Sequence, residues 1–181
     1  MCSIKGYIPR DLSFDDDARQ KLIQGITSIS KAVKSTLGPL GKTVLIESAD
    51  HLKGITITKD GVTVAQSVFL DDPIENLAIQ MMKDAANRTA NTAGDGTTTA
   101  IVLTEALVKA GQGYIQKDTN VTEVIRHINK ITQDVIQGLE KHSKKVSSER
   151  LLDVACISAN NDKDIGTIIA DAYEKVGING I

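Results

Sequence analysis

Ala93-Gly94-Asp95-Gly96-Thr97-Thr98-Thr99-Ala100-Ile101-Val102-Leu103 is the stretch on which the fold turns. Two glycines flank an acid, and three hydroxyl residues open a run that continues through Ala106 and Leu107 and is apolar nearly all round. Such a run predicts a helix buried among other helices, over Thr99 to about Gly111, as the central core helix of a mostly helical protein. The first N–H groups of a helix lack internal partners and its dipole favours an anion there. Glycines let an anion such as phosphate approach the backbone, and three threonine hydroxyls add donors. Asp95 has the wrong charge for a phosphate and the right one for a hard cation that bridges phosphates, which points to Mg²⁺. A capping Thr97 and an ordinary turn at Asp95 explain the same residues, so this stretch alone leaves the anion site open.

Upstream, Ala18, Leu22, Ile26, Ile29 and Val33 recur at three- and four-residue steps and predict an amphipathic helix from Asp17 to about Leu37, ended by Gly38-Pro39. Three short strands are expected at Thr43–Ile46, Ile55–Ile57 and Val62–Val64. Pro73 suits a first helical turn, and Leu77, Met81, Met82 and Ala85 mark an apolar face running toward Asn91. Downstream, Asn120 caps a long helix with Glu123 as the other half of a capping box. The stripe of that helix is Val121, Val124, Ile128, Ile131, Val135 and Leu139. Shorter helices follow near Glu149–Ala155 and Lys163–Val176, separated by Ile157-Ser158-Ala159-Asn160-Asn161. A domain boundary is expected between Lys141 and Ser148. The fold class is mainly α with a small β-ribbon (α+β), with no solenoid period and no low-complexity segment.

Two further loops share the chemistry of the first. Ser35-Thr36-Leu37-Gly38-Pro39-Leu40-Gly41-Lys42-Thr43 pairs glycines with hydroxyl and cationic side chains. It is not a Walker loop: Thr36 occupies the first glycine position, and the segment runs from helix to strand rather than strand to helix. A helix C-cap at Gly38 with Pro39 as a stop also describes it and is compatible with nucleotide contact. In Ile57-Thr58-Lys59-Asp60-Gly61-Val62-Thr63-Val64 a carboxylate sits at a tight turn between two strands, where Asp60 suits a water or a metal. An Asp-Gly hairpin turn with no further role is the commoner explanation of this loop taken alone.

Composition narrows the possible functions. The 181 residues are 41% hydrophobic and 24% charged, with a formal net charge of -2, enough for one good core and too little cationic surface to bind nucleic acid. Aromatics are 3% and Trp is absent, which removes stacking platforms for bases. Cys2 and Cys156 stand far apart with no Cys/His cluster, consistent with a reducing compartment and no structural zinc. The start, from Met1 to Tyr7, has no apolar signal core, and no apolar run approaches the ~18 residues of a membrane span. The expectation is a cytoplasmic protein without a membrane partner. Glycosylation patterns at Asn87-Arg88-Thr89 and Asn120-Val121-Thr122 then carry no consequence. His51, His127 and His142 read as solvated surface residues, and with no other clustered acids a small metal-dependent phosphohydrolase built on Asp95 and Asp60 is disfavoured.

Taken in order, Asp17-Ala18-Arg19, Thr36-Leu37-Gly38-Pro39, Thr58-Lys59-Asp60-Gly61-Val62, Ala93-Gly94-Asp95-Gly96-Thr97-Thr98-Thr99-Ala100 and Ile157-Ser158-Ala159-Asn160 resemble the group I chaperonins, the bacterial GroEL and mitochondrial heat-shock-protein family. The resemblance runs from about Phe14 to the last residue. It implies the helical bundle of an equatorial, ATP-binding domain over residues 1–141 and the start of an intermediate domain over 142–181. By the same resemblance, Thr36, Leu37, Gly38, Pro39, Lys59, Asp95, Gly96, Thr97, Thr98 and Thr99 surround ATP, and Asp95 carries Mg²⁺. Asp60 becomes the catalytic carboxylate, positioning a second cation such as K⁺ and the attacking water, while Ile157 lies near the base.

The implied activity is that of an ATPase, exercised in the full-length chaperonin, whose partners are identical subunits in a ring, unfolded protein clients and a co-chaperonin. Leu40 departs from the family's lysine, and Lys42-Thr43 from its Arg-Asn, which leaves one fewer positive charge near the phosphates and implies altered affinity. Family chains are far longer: the apical domain, the C-terminal half of the equatorial domain and the hydrolytic aspartate of the intermediate domain have no counterpart in these residues. The alternative expectation is a naturally short, non-hydrolysing assembly or regulatory module that docks on a full-length chaperonin.

Overall fold

The structure is a computed structural model that describes residues 12–38, 40–47, 54–116 and 118–177. The readings placed on Cys2, Pro39, His51, the segment Met1 to Tyr7 and the last residues from Ile178 lie outside the described residues. The chain divides into two compact units, Met1–Thr119 and Asn120–Ile181.

In the first unit, α1 spans Asp15–Lys34, with Asp15, Asp16 and Asp17 in its first turn and Lys31 and Lys34 in its last. Both ends complement the helix dipole. It stops at Ser35, earlier than the Gly38-Pro39 stop expected from sequence: the N–H groups of Ser35, Thr36 and Leu37 bond back three residues to Ala32, Val33 and Lys34 O, and two hydroxyls share those acceptors. Ser35 Oγ donates to Ala32 O at 2.6 Å and Thr36 Oγ1 to Val33 O at 2.8 Å. Gly38 instead serves the turn beyond the helix, with φ of 78°. There the chain folds back, as Gly41 N donates to Gly38 O at 2.9 Å and Lys42 N to Ser35 O at 2.7 Å. A Cβ on Gly41 would overlap the Thr36 carbonyl.

Strands β1 (Val44–Glu47) and β2 (Ile55–Thr58) form a two-stranded antiparallel ribbon in the register Val44↔Thr58 to Glu47↔Ile55. Val44 and Ile46 pack against the core, while Leu45, Ile55 and Ile57 are exposed, the alternation expected of a ribbon with one covered face. The third strand expected at Val62–Val64 does not form. Those residues lie in α2, Gly61–Ser67, whose N-cap Asp60 accepts hydrogen bonds from Val62 N and Thr63 N. A capping carboxylate and the burial of Val64 and Ala65 on one side outweigh the β preference of three branched residues.

Helix α3, Pro73–Ala93, starts where Pro73 places it, and its N-cap Asp72 accepts from Ile74 N at 2.8 Å and Glu75 N at 3.2 Å. Its buried face is Ala78, Ile79, Met82, Lys83 and Ala86. Leu77 and Met81 are 60% and 66% exposed, whereas Met82 of the same expected face is buried, so that face is rotated toward Ala78, Ile79 and Ala86, the side on which α1 and α2 pack. Gly25 makes the crossing with α1 possible, since a Cβ there would overlap the Glu75 carbonyl.

Helix α4 spans Thr97–Tyr114. Ile101 and Glu105 are its buried residues, whereas Leu103 and Leu107 are exposed. The expectation of a helix enclosed on all sides is therefore corrected: among the described residues its neighbours cover one face only. The core joins Ile29, Val33, Val64, Ala65, Ile79, Met82, Ala86 and Ile101.

In the second unit, α5 (Val121–His142) starts at Asn120, whose side chain accepts from Glu123 N at 3.3 Å. None of its described residues is buried. Helices α6 (Ser148–Ser158) and α7 (Lys163–Val176) pack together where Gly166 meets Cys156, leaving no room for a Cβ. Ile157 and Ser158 belong to α6 rather than to the connecting segment. The turn itself is made by Asn160 and Asn161, both at positive φ, and by Asp162, which caps α7. No described helix is long and apolar enough to cross a membrane.

Candidate functional site

Three separate segments meet at Gly61. A Cβ built on this residue would overlap Thr98 Oγ1 and would lie 3.4 Å from Thr98 Cβ and 3.3 Å from Thr36 Oγ1. The end of α1, the start of α2 and the start of α4 therefore converge on one point, and each brings hydroxyl groups or a carboxylate. The convergence follows from local rules. Thr36 is held by its bond to Val33 O, and Thr98 rides on the first turn of α4. Gly61 is the first residue of α2, directly after the capping Asp60.

At the α3–α4 junction, Gly94 is the left-handed C-cap of α3 with φ of 74° and Gly96 the left-handed N-cap of α4 with φ of 81°. Only glycine takes such values without strain. No side chain caps α4, so its first N–H groups are left for an external acceptor. Asp95 lies exposed between the glycines, its Oδ1 accepting from Gly96 N at 2.6 Å. Among the described residues no group of three or more His, Cys, Asp or Glu side chains forms a metal site. A lone carboxylate beside an anion-ready helix start suits a magnesium ion that takes its other ligands from phosphates and water, unlike an all-protein metal cage.

Asp60 is engaged more fully. Its Oδ2 accepts from Thr63 N at 2.9 Å and Thr63 Oγ1 at 2.6 Å, and its Oδ1 from Val62 N at 3.3 Å. Partial burial pushes the pKa of this carboxyl up, but the Thr63 hydroxyl and the two backbone N–H groups outweigh it, and the net shift is downward. Asp60 is thus an ionised carboxylate in a fixed rotamer, one residue from the convergence point.

Of the residues singled out in the sequence, Thr36, Asp60 with Gly61, and Thr98 with its neighbours Thr97 and Thr99 come together. Lys59 and Leu37 are exposed and have no described contact that ties them to this point. Ile157, 70% exposed, belongs to the second unit. That unit has its own open, largely apolar groove of about 640 Å³, lined among others by Val146, Leu151, Val154, Ile169 and Tyr173, with none of the site residues in its wall.

Sequence reasoning missed Glu105. It is 4% exposed and is paired with Lys34 and, at 2.7 Å, with Lys109. Burial pushes its carboxyl up, but the bonds to Lys109 and Lys34 prevail and hold its pKa below the usual glutamate value. Thr98, Ile101 and Glu105 are three and seven residues apart and share a face of α4. The Lys34 contact therefore pins α4 against the last residue of α1, immediately before the Thr36 turn. A single acid inside the apolar run Ala100–Val108 was the available signal.

A mostly helical domain with a two-stranded antiparallel ribbon matches the fold of a chaperonin equatorial domain. A profile of the TCP-1/cpn60 chaperonin family matches residues 29–179, more than half of the chain, and the chain belongs to that family. Among solved structures, the chaperonin gp146 from bacteriophage EL 2 (Pseudomonas aeruginosa), crystallised in the presence of ATP-BeFx, matches with a TM-score of 0.79 and 31% identity. That match covers 91% of this chain and 29% of that one. A second crystal form of the same protein gives 0.75 and 33%, over 89% and 28%. A group III chaperonin in the open state gives 0.72 and 28%, over 90% and 32%. The chain thus spans less than a third of the length of these structures.

Proposed function

We propose that this chain supplies the ATP-binding portion of a ring-forming chaperonin of the group I type, which assists protein folding through Mg-ATP-driven cycles. The observation that carries the proposal is the convergence of Thr36, Gly61 and Thr98 beside an uncapped helix start. It is supported by family membership and by a structural relative crystallised with ATP-BeFx. Residues 1–141 form the equatorial domain in this reading, and residues 142–181 begin the intermediate domain.

Phosphoryl transfer to water is catalysed mainly by positioning and by neutralising charge, and the residues divide that task. The N–H and hydroxyl groups of Thr97, Thr98 and Thr99 donate to phosphate oxygens, and Gly96, without a side chain, lets those oxygens approach the backbone. By the family resemblance, Thr36, Leu37, Gly38, Pro39 and Lys59 contribute to the same nucleotide site, and Asp95 holds Mg²⁺. When bound, that ion draws charge from the phosphates. Asp60, ionised and locked by Thr63, orients the attacking water and a second cation such as K⁺. Ile157 packs near the base, a role that rests on the resemblance alone. Identical subunits, unfolded clients and a co-chaperonin are the partners, and the cytoplasm is the site of action.

Asp95→Ala tests the assignment in the full-length protein. We expect Mg-dependent ATP hydrolysis to be lost. Hydrolysis at the wild-type rate would remove Asp95 from the site.

A further inference from the structure

Lys83 is buried in α3, 3% exposed, and among the described residues no carboxylate pairs with it. Its Nζ donates to Gln66 O at 2.9 Å and lies 3.9 Å from the centroid of the Phe69 ring. Burial pulls its pKa below the ordinary lysine value, as expected where desolvation has no opposite charge to offset it. Filling this part of the core does not require a cation, because methionine offers similar volume without the desolvation cost.

What distinguishes lysine here is its acceptor. Gln66 lies in the last turn of α2, where carbonyls lack helical partners and the dipole attracts a cation. The side chain of the same residue is held as well: Gln66 Nε2 donates to Asn87 Oδ1 at 3.0 Å, and Asn87 lies one turn beyond Lys83. One face of α3 therefore grips both the backbone and the side chain of Gln66. At seven residues, α2 is too short to hold its own pose, and its other end carries Asp60 and Gly61.

We infer that Lys83 is a positioning residue that, together with Asn87, clamps α2 by Gln66 and so fixes Asp60 and Gly61 against Thr98 and Thr36. The inference rests on the reading of that site as an ATP site. It bears on turnover more than on binding, because Asp95 and the Thr97–Thr99 donors lie on the α3–α4 junction and α4, whereas the clamp acts on the start of α2 at Asp60 and Gly61.

ATP binding, steady-state hydrolysis and thermal unfolding of the full-length protein provide the test, with Lys83→Met, Asn87→Ala and Asp60→Ala compared. We expect Lys83→Met to lower kcat at least about tenfold, since small misplacements of a reacting geometry are costly. KM should change less than kcat, and Tm should be unchanged or raised because a desolvated charge is removed. The exposed Asn87→Ala should lower kcat less, in the same direction. Wild-type kcat in both variants, with Asp60→Ala inactive, would overturn the clamp and leave the site standing. Wild-type turnover in Asp60→Ala would overturn the site and the clamp together. Should Lys83→Met fail to fold, Asn87→Ala decides: a kcat lowered by a larger factor than KM changes supports the clamp, and an unchanged kcat overturns it.

Discussion

A methyl group at Gly61 has no room, because it would overlap Thr98 Oγ1 and press on Thr36 Oγ1. Gly61→Ala should therefore destabilise the protein by about 1–3 kcal/mol, the usual cost of overpacking, and weaken ATP binding. Adding Thr98→Ala removes the overlapping hydroxyl and should restore stability without restoring affinity, a non-additivity that denaturant unfolding and titration with ATP separate. Equal loss of stability in the single and double variants would contradict the packing at this point. Glu105 offers a second residue-level check. Its folded pKa lies below the unfolded value of 4.5, so its ion pairs stabilise the fold fully above that value. The contribution is lost as pH falls through the lowered folded pKa. Glu105→Gln should cost about 2 kcal/mol at neutral pH, and the gap to wild type should shrink when unfolding is measured near pH 3.

Helices with strong ends were legible at the level of elements. Pro73 set the start of α3 and Asn120 the start of α5, because each is a residue that favours a helix boundary, and α7 has the limits Lys163 and Val176 expected of it. Less legible was anything decided by neighbours. The branched residues Val62, Thr63 and Val64 look like a strand until Asp60 is seen to cap them. On α3, the choice between the Leu77–Met81 stripe and the Ala78–Met82 stripe depends on which side α1 occupies. The site divides in the same way: Thr36, Asp60, Asp95 and Thr97–Thr99 stand out as residue types in loops. Gly61 as their meeting point, Glu105 as the strut and Lys83 as the clamp exist only in three dimensions. Gly25 tests the packing at this scale. Its Cβ would meet backbone of Glu75 rather than a side chain able to move, so Gly25→Ala should lower stability by about 1–3 kcal/mol, measured by urea midpoint. An unchanged midpoint would argue against the close α1–α3 crossing.

For the molecule as a whole, the distribution of apolar surface matters most. On α5, Ile125, Ile128, Ile131, Val135 and Leu139 are all more than two-fifths exposed, and on α4 Leu103 and Leu107 exceed half. Such contiguous apolar surface marks faces that other polypeptide covers. Residues 1–181 expressed alone should bind a hydrophobic dye and elute above 19.4 kDa. A monodisperse monomer without dye binding would show that these faces need no partner.

The central claim is that Thr36, Gly61, Asp95 and Thr97–Thr99 together hold Mg-ATP. Its most direct test is the affinity of the full-length protein for ATP, measured by calorimetry with and without Mg²⁺, in wild type and Asp95→Ala. We expect Mg²⁺ to tighten ATP binding to the wild type and to have no such effect in Asp95→Ala, while metal-free binding is retained. An equal gain from Mg²⁺ in both proteins, or no ATP binding by the wild type, would contradict it.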